Sequence, residues 1–443
     1  MTSSRRLYGW SITVALGGFL FGFDTAVISG AEQQIQTLWQ LSDGVHGFAV
    51  AIALYGTVLG AMLGGLPSDR FGRKATLFWV GILYLSSALG SALAPEIISF
   101  MVFRFIGGLG VGVSSVAAPM YISEVAPARL RGRLVGLFQF NVVLGILIAF
   151  ASNYLLGEVG DLAWRWMLGV EAFPALLFVL LVTRVPHSPR WLVVKRGRDE
   201  EARAVLRHAG LVESEVEREV AEIRASVLLK DSGQQVPLFT RKFRLPIVLA
   251  VLFAFFNQVS GINAIVYYAP RILEMAGLGS RAALLSTVGI GFVNLLFTVV
   301  ALTLIDRFGR RTLMAVGSLG LIATLSLVSY AFATGASGWI SGLLFVYIAF
   351  FAMSQGAVIW VFISEVFPNQ VRAGGQALGS FTHWLLAAVI ANAFPFVANR
   401  LGGSAVFGVF AGMMVLQLLY VRRLMPETKG VTLEELEARL VGH

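Results

Sequence analysis

The chain contains no cysteine, so disulfides and thiolate metal sites are both excluded. Charge is scarce as well. Asp, Glu, Lys and Arg make up only 13% of the 443 residues, about half the fraction usual in soluble domains. The five histidines, His46, His187, His208, His383 and His443, are scattered and show no metal-ligand spacing. No G-x-x-x-x-G-K-[ST] loop is present, which argues against an ATP-driven pump. With no catalytic constellation in view, neither an enzyme nor a bound cofactor or metal is expected.

What remains is apolar. Hydrophobic residues make up 57% of the chain, and mean hydropathy is +0.77. Such a composition reads as a polytopic membrane protein. The first apolar run is too long for a cleavable signal peptide and carries Asp24. Twelve apolar segments follow along the chain, near 8–30, 46–67, 75–94, 98–121, 134–156, 165–184, 245–269, 281–304, 312–334, 340–364, 374–397 and 404–421. The expected fold is an all-α membrane protein with twelve transmembrane helices in two six-helix halves. The expected divisions are an N-terminal half, 1–184, a cytoplasmic helical linker, 185–244, a C-terminal half, 245–422, and a cytoplasmic tail, 423–443. The linker holds "RDEEARAVLRHAG" and "ESEVEREVAEIRASVLLK", read as short amphipathic helices with solvated charged faces.

The net charge of +9 invites a nucleic-acid reading, but its distribution opposes one. With both termini cytoplasmic, the inner loops hold Arg70, Arg73, Lys74, Arg129, Arg131, Arg133, Arg307, Arg310, Arg311 and Arg372. The outer loops hold only Arg165, Arg271, Arg281 and Arg400. That asymmetry is a topogenic signal for a multi-pass protein of the cytoplasmic membrane, with the lipid bilayer and not nucleic acid as partner. Oligomeric state is not written in the sequence, and a monomer is the working expectation.

Two motifs repeat. "DRFGRK" at 69–74 returns as "DRFGRR" at 306–311, and "SEVAPARLRG" at 123–132 returns as "SEVFPNQVRA" at 364–373. In each half the first follows the second apolar segment and the other follows the fourth. Two parallel repeats therefore build the chain. Gly72 and Gly309 permit tight turns. Asp69 and Asp306 can accept bonds from helix-end amides or from Arg. Glu124 with Arg131, and Glu365 with Arg372, bring opposite charges to one cytoplasmic layer. Ion pairs between the halves there would latch the inner side shut; otherwise these charges only set topology. The candidate gate is Asp69, Arg73, Glu124, Arg131, Arg190, Asp306, Arg310, Arg311, Glu365 and Arg372.

These repeats, with "PHSPRWL" at 186–192, "NQVSGINAIVYYAP" at 257–270 and "PETKGVTLEELE" at 426–437, resemble the sugar porter family of the major facilitator superfamily. The likeness covers nearly the whole chain and extends to bacterial proton symporters and animal glucose facilitators. It implies a single central sugar site and alternation between inward-open and outward-open states. It also implies the sugar contacts: Gln139, Gln258, Asn263, Asn294 and Trp360, with Phe21, Tyr267 and Trp384 on aromatic positions and Gly356 beside them. Asn257 and His383 stand where family members carry longer or other amides, Ala357 where a Pro is usual, and His187 where a Glu is usual. The residue chemistry agrees, because amides offer donor and acceptor side by side and an indole covers a sugar's C–H face.

Asp24 lies in "GGFLFGFDTAVISG", otherwise membrane-grade sequence, and a buried charge there costs several kcal/mol. Its expected partner is Arg104, in the fourth segment. The family's proton-coupled members carry an Asp at this position and the animal facilitators an Asn, so Asp24 favours symport. The alternative is a static pair that only orders the helices. The expected activity is secondary transport of a monosaccharide, a glucose-like hexose first, coupled to a proton through Asp24 and Arg104. A passive uniporter, a pentose or inositol symporter, and a non-transporting sugar sensor are the alternatives. Ile146, apolar where xylose symporters have Gln, leans towards glucose.

Overall fold

The computed structural model describes residues 2–232, 237–368, 370–431 and 433–441. Among them helices are the only regular elements. Eleven are long and apolar enough to cross a membrane: α1, Arg5–Leu38; α2, Asp43–Leu63; α3, Arg73–Leu93; α4, Ile97–Val125; α5, Arg129–Leu156; α6, Ala163–Val182; α7, Arg241–Met275; α8, Ser280–Ile305; α9, Arg310–Thr334; α10, Ile340–Val366; and Arg372–Arg423. The last runs 52 residues. Straight, it would measure about 78 Å, more than twice a bilayer core of roughly 30 Å. Gly402, at φ 76° and ψ 164°, breaks it. Residues 372–401 and 403–423 are therefore two spans, α11 and α12, and the count of twelve holds.

The spans outrun the hydropathy limits at several ends. α1 continues past residue 30 to Leu38, and Glu32 in that extension is fully buried. Turns follow the repeat. Gly72 and Gly309 take φ 92° and 88°, so each "DRFGR" reverses the chain where a side chain would be strained. A Cβ at Gly72 would also press on the Trp191 ring, and one at Gly309 on the Glu427 carboxylate. Between α1 and α5, a Cβ on Gly22 would strike the Val142 carbonyl and one on Gly145 the Phe19 carbonyl, so these helices touch backbone to backbone.

Two spans are interrupted. In α7, Gly261 takes a left-handed φ of 89° between Val259 and Ile262, and Tyr268 leaves helical geometry at φ −128°, ψ 21°. In α10 a π-helical turn occupies Ala352–Gly356, after which Ala357 continues as helix. Irregular backbone at membrane depth is tolerated where protein buries it or where it lines a cavity.

The chain forms two compact units. The first joins residues 1–24, 56–146 and 168–235. Its core gathers Leu20, Tyr84, Tyr121, Phe178 and Trp191. The helices Asp199–His208 and Glu213–Ser232 lay Ala202, Val205, Leu206, Val216 and Val220 on that core. Their outer faces carry Arg203–Glu217 and Arg207–Glu213 pairs, the amphipathic pattern expected. The second unit joins residues 25–55, 147–167 and 236–443, with a core around Phe253, Met314, Phe362 and Tyr420.

Candidate functional site

In the first unit, Asp24 on α1 meets Arg104 on α4. Arg104 donates from Nη1 to Asp24 Oδ1 at 2.5 Å and from Nη2 to the Asp24 carbonyl at 3.1 Å. The side chains are 1% and 2% exposed, so water does not screen the pair. A Cβ at Gly107, one turn beyond Arg104, would meet Ser87 and Asp24, so glycine there leaves the carboxylate its room. Glu171 on α6 is also buried, in electrostatic range of both Asp24 and Arg104. Among the described residues, its Oε1, the Arg104 Nε and the Ser87 hydroxyl are buried without hydrogen-bond partners. Arg104 thus faces two buried carboxyl groups. The sequence displayed Glu171 inside an apolar span as plainly as Asp24, but only the fold brings it to Arg104.

In the second unit, the broken α7 gathers amides. The turn at Gly261 folds Asn263 back so that its Nδ2 donates to Gln258 Oε1 at 2.6 Å. Gln258 Nε2 donates to Asn257 Oδ1 at 2.8 Å and lies 3.1 Å from His383 Nδ1 on α11. Asn257 reaches the Gln355 carbonyl in the π-turn of α10 at 3.5 Å. Aromatic rings stand beside this network. The His383 ring centroid is 4.9 Å from that of Trp360 and 4.8 Å from that of Trp384, edge to face. Trp360 keeps 37% exposure, while Tyr267 on α7 is buried. Gln258, Asn257, Asn263, His383, Trp360 and Trp384 therefore meet as the sequence implied, and Gly356 closes the π-turn beneath them. Asn294, half-buried on α8, makes no hydrogen bond to the network among the described residues. Phe21 and Gln139 belong to the first unit, where Phe21 packs 6.4 Å from Phe138, ring to ring. Gln355 joins α10 to the amides through its main-chain carbonyl, while its side chain donates to Met414 Sδ, so no pattern of side chains in the sequence announces the contact.

The charged motifs pair differently from expectation. Glu124 accepts from Arg73 Nη2 at 2.9 Å and from the Ser188 hydroxyl, and Arg73 also meets Asp69 at 3.1 Å. Glu365 accepts from Arg310 at 3.0 Å and from the Thr428 hydroxyl at 2.6 Å. Arg131 and Arg372, the expected partners, instead donate to the carbonyls of Ser123 at 3.0 Å and Phe367 at 3.3 Å. The reason lies in the helix ends. Both arginines follow the turn that ends a helix, where unpaired carbonyls carry the negative end of the dipole. The carboxylates point back to the "DRFGR" arginines, within one repeat rather than across repeats. Arg190 lies in electrostatic range of Glu124. Arg311 donates to the carbonyls of Val421 and Arg422. The side chain of Asp306 lies outside the described residues.

Each unit has one further titratable group beside its own "DRFGR" turn. Burial favours the neutral form of the Glu427 carboxyl, but backbone N–H groups of Lys429, Arg310, Arg311 and Thr428 outweigh it and hold the group below the usual carboxylate range. His187 stacks on Trp191 at 5.1 Å, and burial with nearby Lys74 lowers its proton affinity.

Residues 10–440 match the family described as sugar (and other) transporters. The chain belongs to the sugar transporter family. It is 37% identical to the D-xylose-proton symporter of Escherichia coli K12, over 98% of this chain and 96% of that one. It is 37% identical to the glucose transport protein of a Synechocystis strain, over 95% of each. The inward-open structure of the xylose transporter XylE from E. coli superimposes with a TM-score of 0.88 at 36% identity, covering 98% of this chain and all of that one. As a sugar transporter the chain is not an enzyme, and its apolar helices are multi-pass membrane spans.

In the second unit, Glu32 and His46, both fully buried, meet Arg271, 13% exposed, near ends of α1, α2 and α7. Arg271, expected in an exterior loop, lies inside the last turns of the apolar span α7.

Proposed function

We propose that this transporter is a proton-coupled monosaccharide symporter, with a glucose-like hexose as the favoured substrate. The observation that carries the reading is the buried Asp24–Arg104 pair. An ionised Asp24 holds Arg104; a proton on the carboxylate removes the charge and releases the guanidinium to other partners, among them Glu171. The released state has a different conformational preference, so proton binding and helix rearrangement are linked.

The sugar binds at the α7 amides. Gln258, Asn257 and Asn263 present donors and acceptors to hydroxyls, and His383 adds a ring nitrogen. Trp360, partly exposed, offers an apolar plane to the sugar's C–H face. The family resemblance adds Phe21, Gln139, Asn294 and Tyr267 as further candidate contacts. All of these contacts are neutral, which permits release after binding.

The lysine and arginine distribution supports placing the "DRFGR" ends in the cytoplasm, with both termini inside and the protein in the cytoplasmic membrane. Residues 1–184 and 245–422 act as the two alternating halves, joined by 185–244 and followed by the 423–443 tail, in a monomer. A pentose is the second reading, because the E. coli relative named above is a xylose symporter.

Labelled sugar uptake into proteoliposomes, with and without an imposed pH gradient, tests the proposal. Accumulation that requires the gradient supports symport. Equilibration that ignores the gradient makes the protein a uniporter, and competition among glucose, xylose and galactose ranks the sugars.

A further inference from the structure

The Glu32 side chain is fully buried in the second unit, although it is a carboxylate. Arg271 grips it with two bonds, from Nε to Oε1 at 2.9 Å and from Nη2 to Oε2 at 2.6 Å. His46, fully buried on α2, meets the same Oε2 through Nε2 at 2.6 Å. Arg271 also donates to Gln36 Oε1 at 2.5 Å. Around this core lies a second ring of polar contacts. Gln36 donates to Asp43 at 3.1 Å, Asn399 donates to Asp43 at 2.9 Å, and the Tyr268 hydroxyl donates to the Ala391 carbonyl at 2.8 Å.

A forked ion pair whose carboxylate is fully buried and whose guanidinium is only 13% exposed is a weak source of stability when compared with apolar packing, but breaking it by removing one partner is costly. The pair also has an unusual mounting. Arg271 comes directly after Pro270 and three residues after the non-helical Tyr268, so it sits on a short outer stub of α7. Glu32 and His46 sit on α1 and α2, more than 220 residues earlier in the chain. The pair therefore ties a hinged segment late in the chain to two early spans, using groups that water can rehydrate once they part.

We infer that the Glu32–Arg271 ion pair is a latch that holds the outer end of α7 to α1 and must break whenever that end opens, with His46 as the residue that positions Glu32. The inference rests on the alternating-access reading above. Neither residue touches the sugar network or Asp24.

The chain has no cysteine, so spin labels on Leu38→Cys and Met275→Cys, both exposed positions, report the α1–α7 separation without background. The measurement is a label-to-label distance distribution on the full chain in lipid nanodiscs, without sugar or gradient. Glu32→Gln leaves the largely buried Arg271 charge unmatched, and the ratio of separated to joined populations should rise at least about tenfold. Glu32→Gln combined with Arg271→Gln removes both charges and should recover much of the joined population, a rescue that a misfolded protein would not show. His46→Gln retains an N–H donor and should match the parent, whereas His46→Leu should shift towards separation. Unchanged distances in Glu32→Gln, or a double variant more separated than the single, would overturn the latch; identical behaviour of the two His46 variants would remove His46 from it. Because no transport is measured, a latch that passes this test stands even if uptake shows no sugar movement, and the reverse holds as well.

Discussion

The Gln258 amide nitrogen lies 3.1 Å from His383 Nδ1. An amide nitrogen only donates, and His383 Nε2 also lies within 3.3 Å of it, so whichever ring nitrogen is unprotonated accepts. The other face of Gln258 accepts from Asn263 at 2.6 Å. Gln258 is thus the centre through which α7 and α11 share one network, and a sugar hydroxyl entering there exchanges protein partners for its own.

Gln258→Ala should weaken sugar binding more than any single lipid-facing Leu substitution. Removing one partner from a buried hydrogen bond costs roughly 1–3 kcal/mol, or about 5- to 150-fold in affinity. Calorimetric titration of the purified variant is the check. Parent-like affinity in a folded variant would take Gln258 out of the site.

Asp24→Asn should keep the fold and sugar binding, since a neutral amide removes a desolvation cost along with a partner for Arg104. Accumulation driven by a pH gradient should vanish while counterflow with no gradient persists. Both are measured in the same vesicles. Continued accumulation would mean that another group carries the proton, leaving Asp24 and Arg104 as a structural pair.

The re-assigned motif pairs predict a pattern of coupling. In a double-mutant cycle read by thermal stability, Arg73→Ala and Glu124→Gln should be non-additive by about 0.5–3 kcal/mol, as expected of residues in contact. Arg131→Ala and Glu124→Gln should add within about 0.5 kcal/mol. The reverse result would restore the Glu124–Arg131 pair.

Glu365→Gln should loosen the same end in the second repeat, because Arg310 loses its charged partner at 3.0 Å. A single thiol introduced on the inward-facing cavity should then react faster with a maleimide than in the parent, by a few-fold for a partly exposed pair of about 1 kcal/mol. Equal rates would leave the motif as a determinant of topology alone.

Glu427 provides a pH test outside the spans. Its carboxyl is held below the usual range in the folded protein. A group depressed on folding stabilises above its unfolded value, near 4.3 for Glu, and loses that contribution as pH falls through the folded value. Melting temperature should therefore fall more steeply below about pH 4.5 in the parent than in Glu427→Gln. Parallel curves would mean that the four backbone bonds to Glu427 do not form in solution.

The sequence by itself determined the spans, the repeat and the two most costly features. Apolar runs of membrane length have one stable outcome, because backbone in lipid must satisfy itself. Asp24 and Arg104 could be matched on paper because few charges compete within the same half. The "NQVSGIN" amides could be grouped because they are neighbours in the chain. Tertiary structure decided everything that required choosing among several equivalent partners. Glu124 and Glu365 had two arginines apiece within reach, and helix-end carbonyls claimed Arg131 and Arg372. Glu171 lay in plain view, but its direction depended on how α6 is rotated, and Gln355 takes part through a main-chain carbonyl in the π-turn that no side-chain pattern encodes. Glu32, His46 and Arg271 were invisible as a group because each sits where hydropathy falls at a span's end, and a polar residue there reads as solvated. Only the packing of three helix ends excludes most of the water and gathers Glu32, His46 and Arg271 into one polar cluster.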